Sequence, residues 1–540
     1  MKKHFKKILA VVLCFAMLLP LAPAAFAAEY ENDYIIAESD GTKNVNKITK
    51  GFYNAVDKLI KVLVKAINLL VPAPKSWESS DSYSSDGFMA GSSEFLSEPA
   101  EGAQWSLGYG EASLLEGQNI MDGKHYVAGS LSVKDKLVTS VADDLKVRTI
   151  ALDDSSSRGI TVFAVIDGYG MSLTDVRGIR LSLADYCKEM NITSLNISVL
   201  HQHSAVDTFG MNGPLLKELG NGFRNISGKA PVNGQNKEYM ENLYKVTGDT
   251  VKAAVESMKT GKLYYAELDM TEYVKDKRPP YVLDTNFDRF RFVPDDGSRG
   301  TVFSTSPIHC VGFGAGGTDV TGDYPYYMEQ AVNEMGYNFL LILDAEQGTT
   351  QVHPKECEGL ERPENIKVYG EVLANVLMQN ADENEVAPLL NIRNKEVKFS
   401  IDNPILTFAG KMGLVTNKVL NDNGKLSVLS EIGYMEIGND LAVALVPGEL
   451  AAEIAYGGFL TAETSWTNTD WTKPTLQEIT GDRHMLVFGL MNDQIGYIIP
   501  GNDFMSVIYP ANKSLELVSL GDQAAAQLTD YYAELVAECK

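Results

Sequence analysis

Cysteine is scarce in this chain, five in 540 residues, and no two of them form a C-x-x-C pair. Cys14 lies in an N-terminal apolar run, which leaves Cys187, Cys310, Cys357 and Cys539. So few thiols exclude a disulfide-built scaffold and propose no metal site of their own, while leaving room for one or two bonds in an oxidising compartment. Positive charge is also short, with 47 Lys and Arg against 71 Asp and Glu and a formal charge of −24. A surface of that sign repels phosphates, so no nucleic-acid partner is expected. No internal repeat recurs at a solenoid period, which excludes a repeat array. Long apolar runs are missing except for Ile8 to Leu21, shorter than the roughly 20 residues a spanning helix needs.

That run follows Lys2, Lys3, Lys6 and Lys7 and precedes Ala25-Phe26-Ala27, the small residues of a cleavage site. Residues 1–27 therefore read as a Sec-type signal peptide, and the protein as secreted, extracellular and soluble. Leu13 before Cys14 is too large for the usual lipobox, so lipid attachment is not expected. The rest is ordinary globular material, 45% hydrophobic and 22% charged.

Residues 28–98 form a leading segment. Within it Ile48 to Val71 reads as an amphipathic helix, with Phe52, Val56, Leu59, Ile60, Leu63, Val64 and Ile67 on one stripe and lysines at 50, 58, 61 and 65. Two readings compete, a helix packed on the main domain and a basic helix lying on an anionic membrane surface through residues 48–71. Pro72, Pro74 and the Ser-rich stretch 76–87 read as a linker. Residues 99–540 follow as one large domain of mixed α and β character. Its expected strands are Gly159–Ile166, Thr193–Leu200, Phe339–Leu343, Val443–Val446 and Leu486–Leu490. Its expected helices are Ser172–Met190, Val368–Gln379, Glu449–Ala455 and Asp522–Glu538.

The chemistry centres on Ser198 to Ser204, where the alternating strand runs into His201-Gln202-His203. Strand alternation would aim both imidazoles the same way at the strand end, a geometry suited to a metal because neutral imidazole is a common zinc ligand. An isolated H-x-H is more often two surface histidines. Three further segments change that balance. Thr301 to His309 is a β-rich run delivering a histidine to a strand end, with Asp323-Tyr324-Pro325 beyond it. Leu441 to Glu449 is an apolar strand, a Pro-Gly turn and a carboxylate that would open a helix. Gly489-Leu490-Met491-Asn492 leads to Gly496-Tyr497, a tyrosine beside a glycine that permits close approach.

In this order the motifs H-x-H-S, strand-His with D-[FY]-P, V-P-G-E and G-L-x-N-x-x-x-G-Y resemble the neutral/alkaline ceramidase family, over about residues 105–510. The resemblance implies a large layered α/β/β/α-type catalytic domain, here without the C-terminal immunoglobulin-like domain of longer members. It also implies Zn2+ held by His201, His309, Glu449 and Tyr497, and hydrolysis of the N-acyl amide of a ceramide-like lipid. By the same resemblance His203 would bind substrate or the tetrahedral intermediate, and Arg278 and Tyr509 would face the developing oxyanion and leaving group. Arg278 reads equally well as a cation before a proline turn, and Tyr509 as part of a Tyr-Pro turn. The chain departs from the family pattern at Ala205-Val206-Asp207-Thr208 and at Gln347-Gly348-Thr349-Thr350-Gln351, both near the expected substrate mouth. A zinc hydrolase of another amide or ester, and a non-catalytic lipid- or glycan-binding protein on the same scaffold, are the alternative readings.

Overall fold

The computed structural model describes residues 47–85, 89–92, 94–129, 135–218, 220–226, 229, 232–344, 348–458, 461–509 and 515–540. The signal peptide expected over residues 1–27 lies outside these residues, as do 28–46, residues 86–87 of the expected linker, and Gln347.

In chain order the principal elements begin with α1 (Lys47–Leu70), β1 (Trp105–Ser113), β2 (Lys146–Asp153), β3 (Ile160–Ile166), α2 (Leu173–Ser182) and β4 (Ile192–Val199). Then come α3 (Lys237–Glu256), β5 (Lys259–Asp269), β6 (Val274–Asp276), β7 (Asn286–Pro294), β8 (Gly300–Ser306), α4 (Asp323–Glu334), β9 (Tyr337–Leu343) and β10 (Thr349–Gln351). The last group is α5 (Glu364–Leu377), β11 (Leu390–Ser400), α6 (Pro404–Met412), β12 (Val419–Asp422), β13 (Lys425–Ile437), β14 (Leu441–Leu445), β15 (Glu449–Leu450), α7 (Ala452–Tyr456), β16 (His484–Phe488), β17 (Tyr497–Ile498) and α8 (Ala524–Cys539). No helix among the described residues is long and apolar enough to cross a membrane.

Two sheets carry the domain. The larger runs β9-β8-β7-β5-β1-β2-β3-β4, and the smaller runs β11-β13-β14-β16 with β12 added against β13. They pack face to face, as the strand alternation requires. Val443 and Leu445 of β14 join the core of the larger sheet, while Ala442 and Ala444 point the other way, toward Leu528, Tyr532 and Leu535 of α8. Across the interface Phe163 of β3 meets Phe488 of β16 edge to face, centroids 5.7 Å apart. Helices α3, α4 and α5 cover the larger sheet. The result is the layered α/β/β/α arrangement expected from the family resemblance.

Three parallel pairs end together, and their registers show it. Ile166 pairs with Val199, Ser306 with Leu343, and Leu445 with Phe488, each at the carboxyl end of its strand. The two sheets are stitched at that edge. Gly489 N–H donates to Leu343 O (2.8 Å), and Asn492 N–H donates to Ile197 O (2.7 Å). The Asn492 side chain accepts from Ile197 N–H at 2.9 Å and donates to Glu431 at 2.8 Å. Glu431 in turn holds the buried Arg180 of α2 through two bonds of 2.9 and 2.8 Å. The asparagine of the G-L-x-N motif is therefore a clamp between sheets.

Several expectations shift in detail. The helix from Ser172 is capped as expected, with the Ser172 hydroxyl accepting from Asp175 N–H, but it breaks at Leu183 into a second short helix, Ala184–Glu189. Glu449 does not open a helix. It sits in β15, paired in parallel with Tyr497, and the helix begins at Ala452. The pairing wins because Glu449 N–H finds its acceptor in Gly496 O (3.1 Å). Part of the stretch read as a linker is fastened to the smaller sheet: Glu78 bridges Leu420, and Ser79 and Ser80 donate to the Asp422 carboxylate.

Asn492→Ala should leave the buried Ile197 amide without its acceptor, at a cost of ~1–3 kcal/mol for that group alone. A lowered urea midpoint at unchanged slope would report it; an unchanged midpoint would show that the clamp does not hold the sheets.

Candidate metal centre and its cavity

His201 follows β4, His309 follows β8, Glu449 follows β14 and Tyr497 follows β16. Each comes from a strand end, and the common edge brings them together. The donor atoms of His201, His309 and Glu449 all lie within 4.8 Å of one another, and all three residues are buried. Nε2 of His309 is 2.6 Å from Glu449 Oε2, and Nε2 of His201 is 3.6 Å from Glu449 Oε1.

Local structure explains how the histidines arrive. His201 leaves the strand in the left-handed region at φ 50°, a conformation costing a non-glycine residue about 1–2 kcal/mol. Gln202 offsets that cost, its side chain accepting from Gly168 N–H (2.8 Å) and donating to Asp167 (2.7 Å). Asp167 is itself paired with the buried Arg148 at 2.9 Å. The imidazoles of His201 and His203 thus converge through a turn anchored on the middle residue, rather than by simple strand alternation. Their ring centroids stand 4.8 Å apart, and those of His201 and His309 5.5 Å.

The partner of each Nδ1 fixes the tautomer. His201 Nδ1 faces Tyr169 O at 2.6 Å, and the Tyr169 ring stacks on the imidazole. His203 Nδ1 faces Gly129 O at 2.9 Å. A carbonyl can only accept, so both Nδ1 atoms carry the proton and both Nε2 atoms present lone pairs. Neither Nε2 has a hydrogen-bond partner among the described residues. His309 Nδ1 meets Thr349 Oγ1 at 2.6 Å, and that hydroxyl already donates to Pro307 O, so it accepts from the ring. His309 Nε2 then stands 2.6 Å from the Glu449 carboxylate, a gap that a proton on the ring or a bound cation would bridge. Two imidazole nitrogens and a carboxylate, each oriented by an outer hydrogen bond, fit a divalent ion of the zinc class.

Electrostatics agree with that donor set. Burial pushes the His201 pKa down against the pull of Glu449. Burial and then the neighbouring imidazoles push His203 well down. Burial alone would raise Glu449, but His201, His309 and the Tyr497 hydroxyl outweigh it and hold the carboxyl below its ordinary range. Tyr497, its pKa raised well above the usual by burial and by Glu449, remains a phenol donating to that carboxylate.

The motif glycines follow from close approach. A Cβ on Gly448 would stand 2.5 Å from Gly496 O, and one on Gly496, at φ 87°, would stand 1.9 Å from Val518 O. Only glycine at both positions lets β15 and β17 pair and set Glu449 beside Tyr497. Asp323, from D-[FY]-P, sits at φ 55° and accepts from the Phe313 and Tyr324 amides, while the Tyr324 hydroxyl donates to Ile308 O beside His309.

Arg278 and Tyr509 are placed elsewhere. The Arg278 guanidinium is buried between Asp503 (2.8 Å) and Glu516 (2.9 Å) and also donates to Asp503 O, so its side-chain partners lie outside the histidine cluster. A buried ion pair of this kind needs both its charges. Tyr509 packs against Trp466, tilted, and against Tyr53, edge to face, with centroids 4.9 and 5.2 Å away, beside α1. Tyr169, Thr349, Gly129 and Gln494 were not found from the sequence. Tyr169 follows Asp167-Gly168 at the end of β3, and the same strand-end rule would have found it. Thr349 lies in one of the two stretches that depart from the family pattern. In the other, Asp207 accepts from the amides of Phe209, Gly210 and Asn212 and shapes the loop after His203.

Glu449 and Tyr497 form part of the wall of a largely apolar cavity. Its far side is built by Trp77, Leu406, Val415, Val428 and Leu520. A second group, Glu267, Asp288 and His484, also draws close, but Asp288 is already held by Tyr265 and Thr305 and the other two are exposed.

No family model matches the chain, and no curated protein matches it. Its fold is that of solved ceramidases. The crystal structure of neutral ceramidase from Pseudomonas aeruginosa superposes with a TM-score of 0.60 at 13% identity, over 80% of this chain and 74% of that one. A ceramidase complexed with C2 gives a TM-score of 0.58 at 13% identity, over 80% of this chain and 75% of that one.

Thr349→Val keeps the shape of the side chain and removes the acceptor for His309 Nδ1. Metal affinity should fall ~10–100-fold, as loss of a ligand's outer hydrogen bond typically costs. Chelator competition measures it; unchanged affinity would release Thr349 from this role.

Proposed function

We propose that the protein is a zinc-dependent amidohydrolase of neutral-ceramidase type, cleaving the N-acyl amide of a ceramide-like lipid to a sphingoid base and a fatty acid. The observation that carries this reading is the His201–His309–Glu449 cluster, whose Glu449 lines a largely apolar cavity beside Tyr497. Tyr497 completes the ligand set in this reading. Bound there, zinc would polarise the acyl carbonyl and lower the pKa of a water toward ~7.

The chain's own groups supply the rest. Tyr169 O and Thr349 Oγ1 accept from Nδ1 of the two histidines and so turn both Nε2 atoms toward Glu449. His203, turned by Gly129 O, offers its Nε2 lone pair to a substrate hydroxyl or amide N–H. The Tyr497 hydroxyl, spent on Glu449 here, is a donor available to negative charge developing on the carbonyl oxygen. Apolar residues lining the cavity would take the hydrocarbon chain and exclude bulk water. The amide C–N bond breaks, the oxygen of water joins the acyl carbon, and the amine leaves with a proton.

The lipid would reach this cavity from a membrane phase, with residues 48–71 as the membrane-facing element. Export through the signal peptide over residues 1–27 belongs to the same reading. Protein recovered from the culture medium with its N-terminus at Ala28 would support export, and retention in the cytoplasm would remove it.

Metal analysis of the purified protein should find stoichiometric zinc, lost in His201→Ala and in His309→Ala. Full zinc occupancy in both variants would end the assignment. A hydrolysis screen across N-acyl lipids, N-acyl amino acids and esters should favour the N-acyl lipid. Preference for another amide or ester would redirect the reading, and zinc without any hydrolysis would make the protein a binding module.

Tyr497→Phe keeps the ring and its packing, so stability should change by less than about 1.5 kcal/mol. Losing a donor aimed at transition-state charge typically costs ~10²-fold or more in turnover. Steady-state kinetics on the folded, zinc-loaded variant decide the matter: wild-type turnover would leave Tyr497 a packing residue.

A further inference from the structure

Helix α1 is dressed inside out. Its polar residues Lys50, Asp57 and Asn68 face the protein and are hydrogen-bonded there. Lys50 Nζ donates to Trp466 O (3.1 Å), Asp57 accepts from Val507 N–H (3.1 Å), and Asn68 donates to Pro404 O (2.7 Å). Between them Ile60 and Val64 pack on Phe408 and Met412 of α6. The opposite face carries Ile48, Phe52, Leu59, Val62, Leu63, Leu69 and Leu70, each between 50% and 87% exposed. At 100° per residue these seven side chains form one continuous stripe, joined by Ala55 and Ala66. The stripe expected from the sequence is thus split, with Val56, Ile60, Val64 and Ile67 turned inward and Phe52, Leu59 and Leu63 turned outward.

Exposed Lys58 and Lys65 flank the outer stripe on one side. Over its length α1 carries five lysines against a single aspartate, Asp57, in a chain whose formal charge is −24. Asp57 is buried and paired with Lys61 at 3.0 Å. A local excess of positive charge beside an apolar face complements an anionic bilayer. Position points the same way. Helix α6 is the partition between α1 and the cavity: Phe408 and Met412 face α1, whereas Leu406, Thr407 and Gly410 line the cavity that reaches Glu449 and Tyr497. Trp77, just beyond α1, lines the cavity too.

We propose that α1 docks the enzyme on an anionic lipid surface, its outer stripe set into the acyl boundary and Lys58 and Lys65 against headgroup phosphates. Delivery of an N-acyl lipid across α6 into the cavity rests on the function proposed above; the docking itself does not.

Flotation of the secreted chain with phosphatidylglycerol vesicles tests the docking. Binding should be strong at low salt, weaker at high salt, and weaker on phosphatidylcholine alone. Phe52→Ser combined with Leu63→Ser should reduce binding at least tenfold, as should Lys58→Glu combined with Lys65→Glu on the anionic vesicles. Both double variants should keep wild-type kcat/KM on a water-soluble short-chain amide and an unchanged melting temperature. Vesicle binding that both pairs leave intact would overturn the proposal. So would light scattering that shows a dimer which Phe52→Ser with Leu63→Ser dissociates, because the stripe would then belong to a second copy of the chain. Vesicle binding without hydrolysis of any N-acyl lipid would sink the function and keep the docking. Hydrolysis of detergent-dispersed lipid without vesicle binding would do the reverse.

Discussion

A buried carboxylate must find compensating charge or donors, and the demand of Glu449 for both organises this fold's working edge. Its oxygens meet His201, His309, the Tyr497 hydroxyl and, at 3.4 Å, the Gln494 amide. Those partners lie on segments that follow strands of both sheets. They can surround one carboxylate only if the sheets end along a common edge at fixed register, and the backbone bonds from Gly489 to Leu343 and from Asn492 to Ile197 hold that register. Glycines 448 and 496 then let the last two short strands touch closely enough to deliver the carboxylate and the phenol side by side.

The same edge stores backbone strain. His201, Asp323, Leu490 and Asn492 all have positive φ, between 50° and 64°. None is glycine, and each is held by its surroundings: Gln202 anchors the turn at His201, the Asp323 carboxylate collects amides of its own loop, Leu490 N–H donates to Gly448 O at 3.2 Å, and Asn492 clamps β4. Left-handed residues turn the chain sharply where strands stop, so that side chains which would follow the strand direction instead converge on one point. The outer hydrogen bonds of Tyr169 O, Thr349 Oγ1 and Gly129 O then set each ring's rotation. Position and protonation state are thus decided by different residues.

Much of this was legible in the chain. Alternating apolar residues marked β4, continuous apolar runs marked β3, β9, β14 and β16, and the short motifs marked the strand ends where the candidate ligands cluster. His201, His203, His309, Glu449 and Tyr497 do meet. Glu449 was legible as a candidate ligand and misplaced as a helix start, because nothing local announces a two-residue parallel bridge to a segment nearly fifty residues later. Arg278 and Tyr509 lie outside the cluster for a related reason. Their neighbours in sequence fit the pattern, but Asp503 and Glu516 claim the guanidinium, and Trp466 and Tyr53 claim the ring.

By itself the sequence determined the strand phases, the order of the ligand-bearing segments, the sign of the surface charge and the amphipathic character of residues 48–71. These are local quantities, set by side-chain period and composition. Tertiary structure alone decided which carbonyl or hydroxyl fixes each imidazole, where Arg278 spends its charge, and which side of α1 is buried. Each of those depends on partners far away in the chain, brought within hydrogen-bonding or packing distance only when the sheets close on each other. Helix α1 shows the difference most directly. Its apolar stripes could be read from periodicity, but packing against α6 chose Ile60 and Val64 for the interior and left Phe52, Leu59 and Leu63 facing outward.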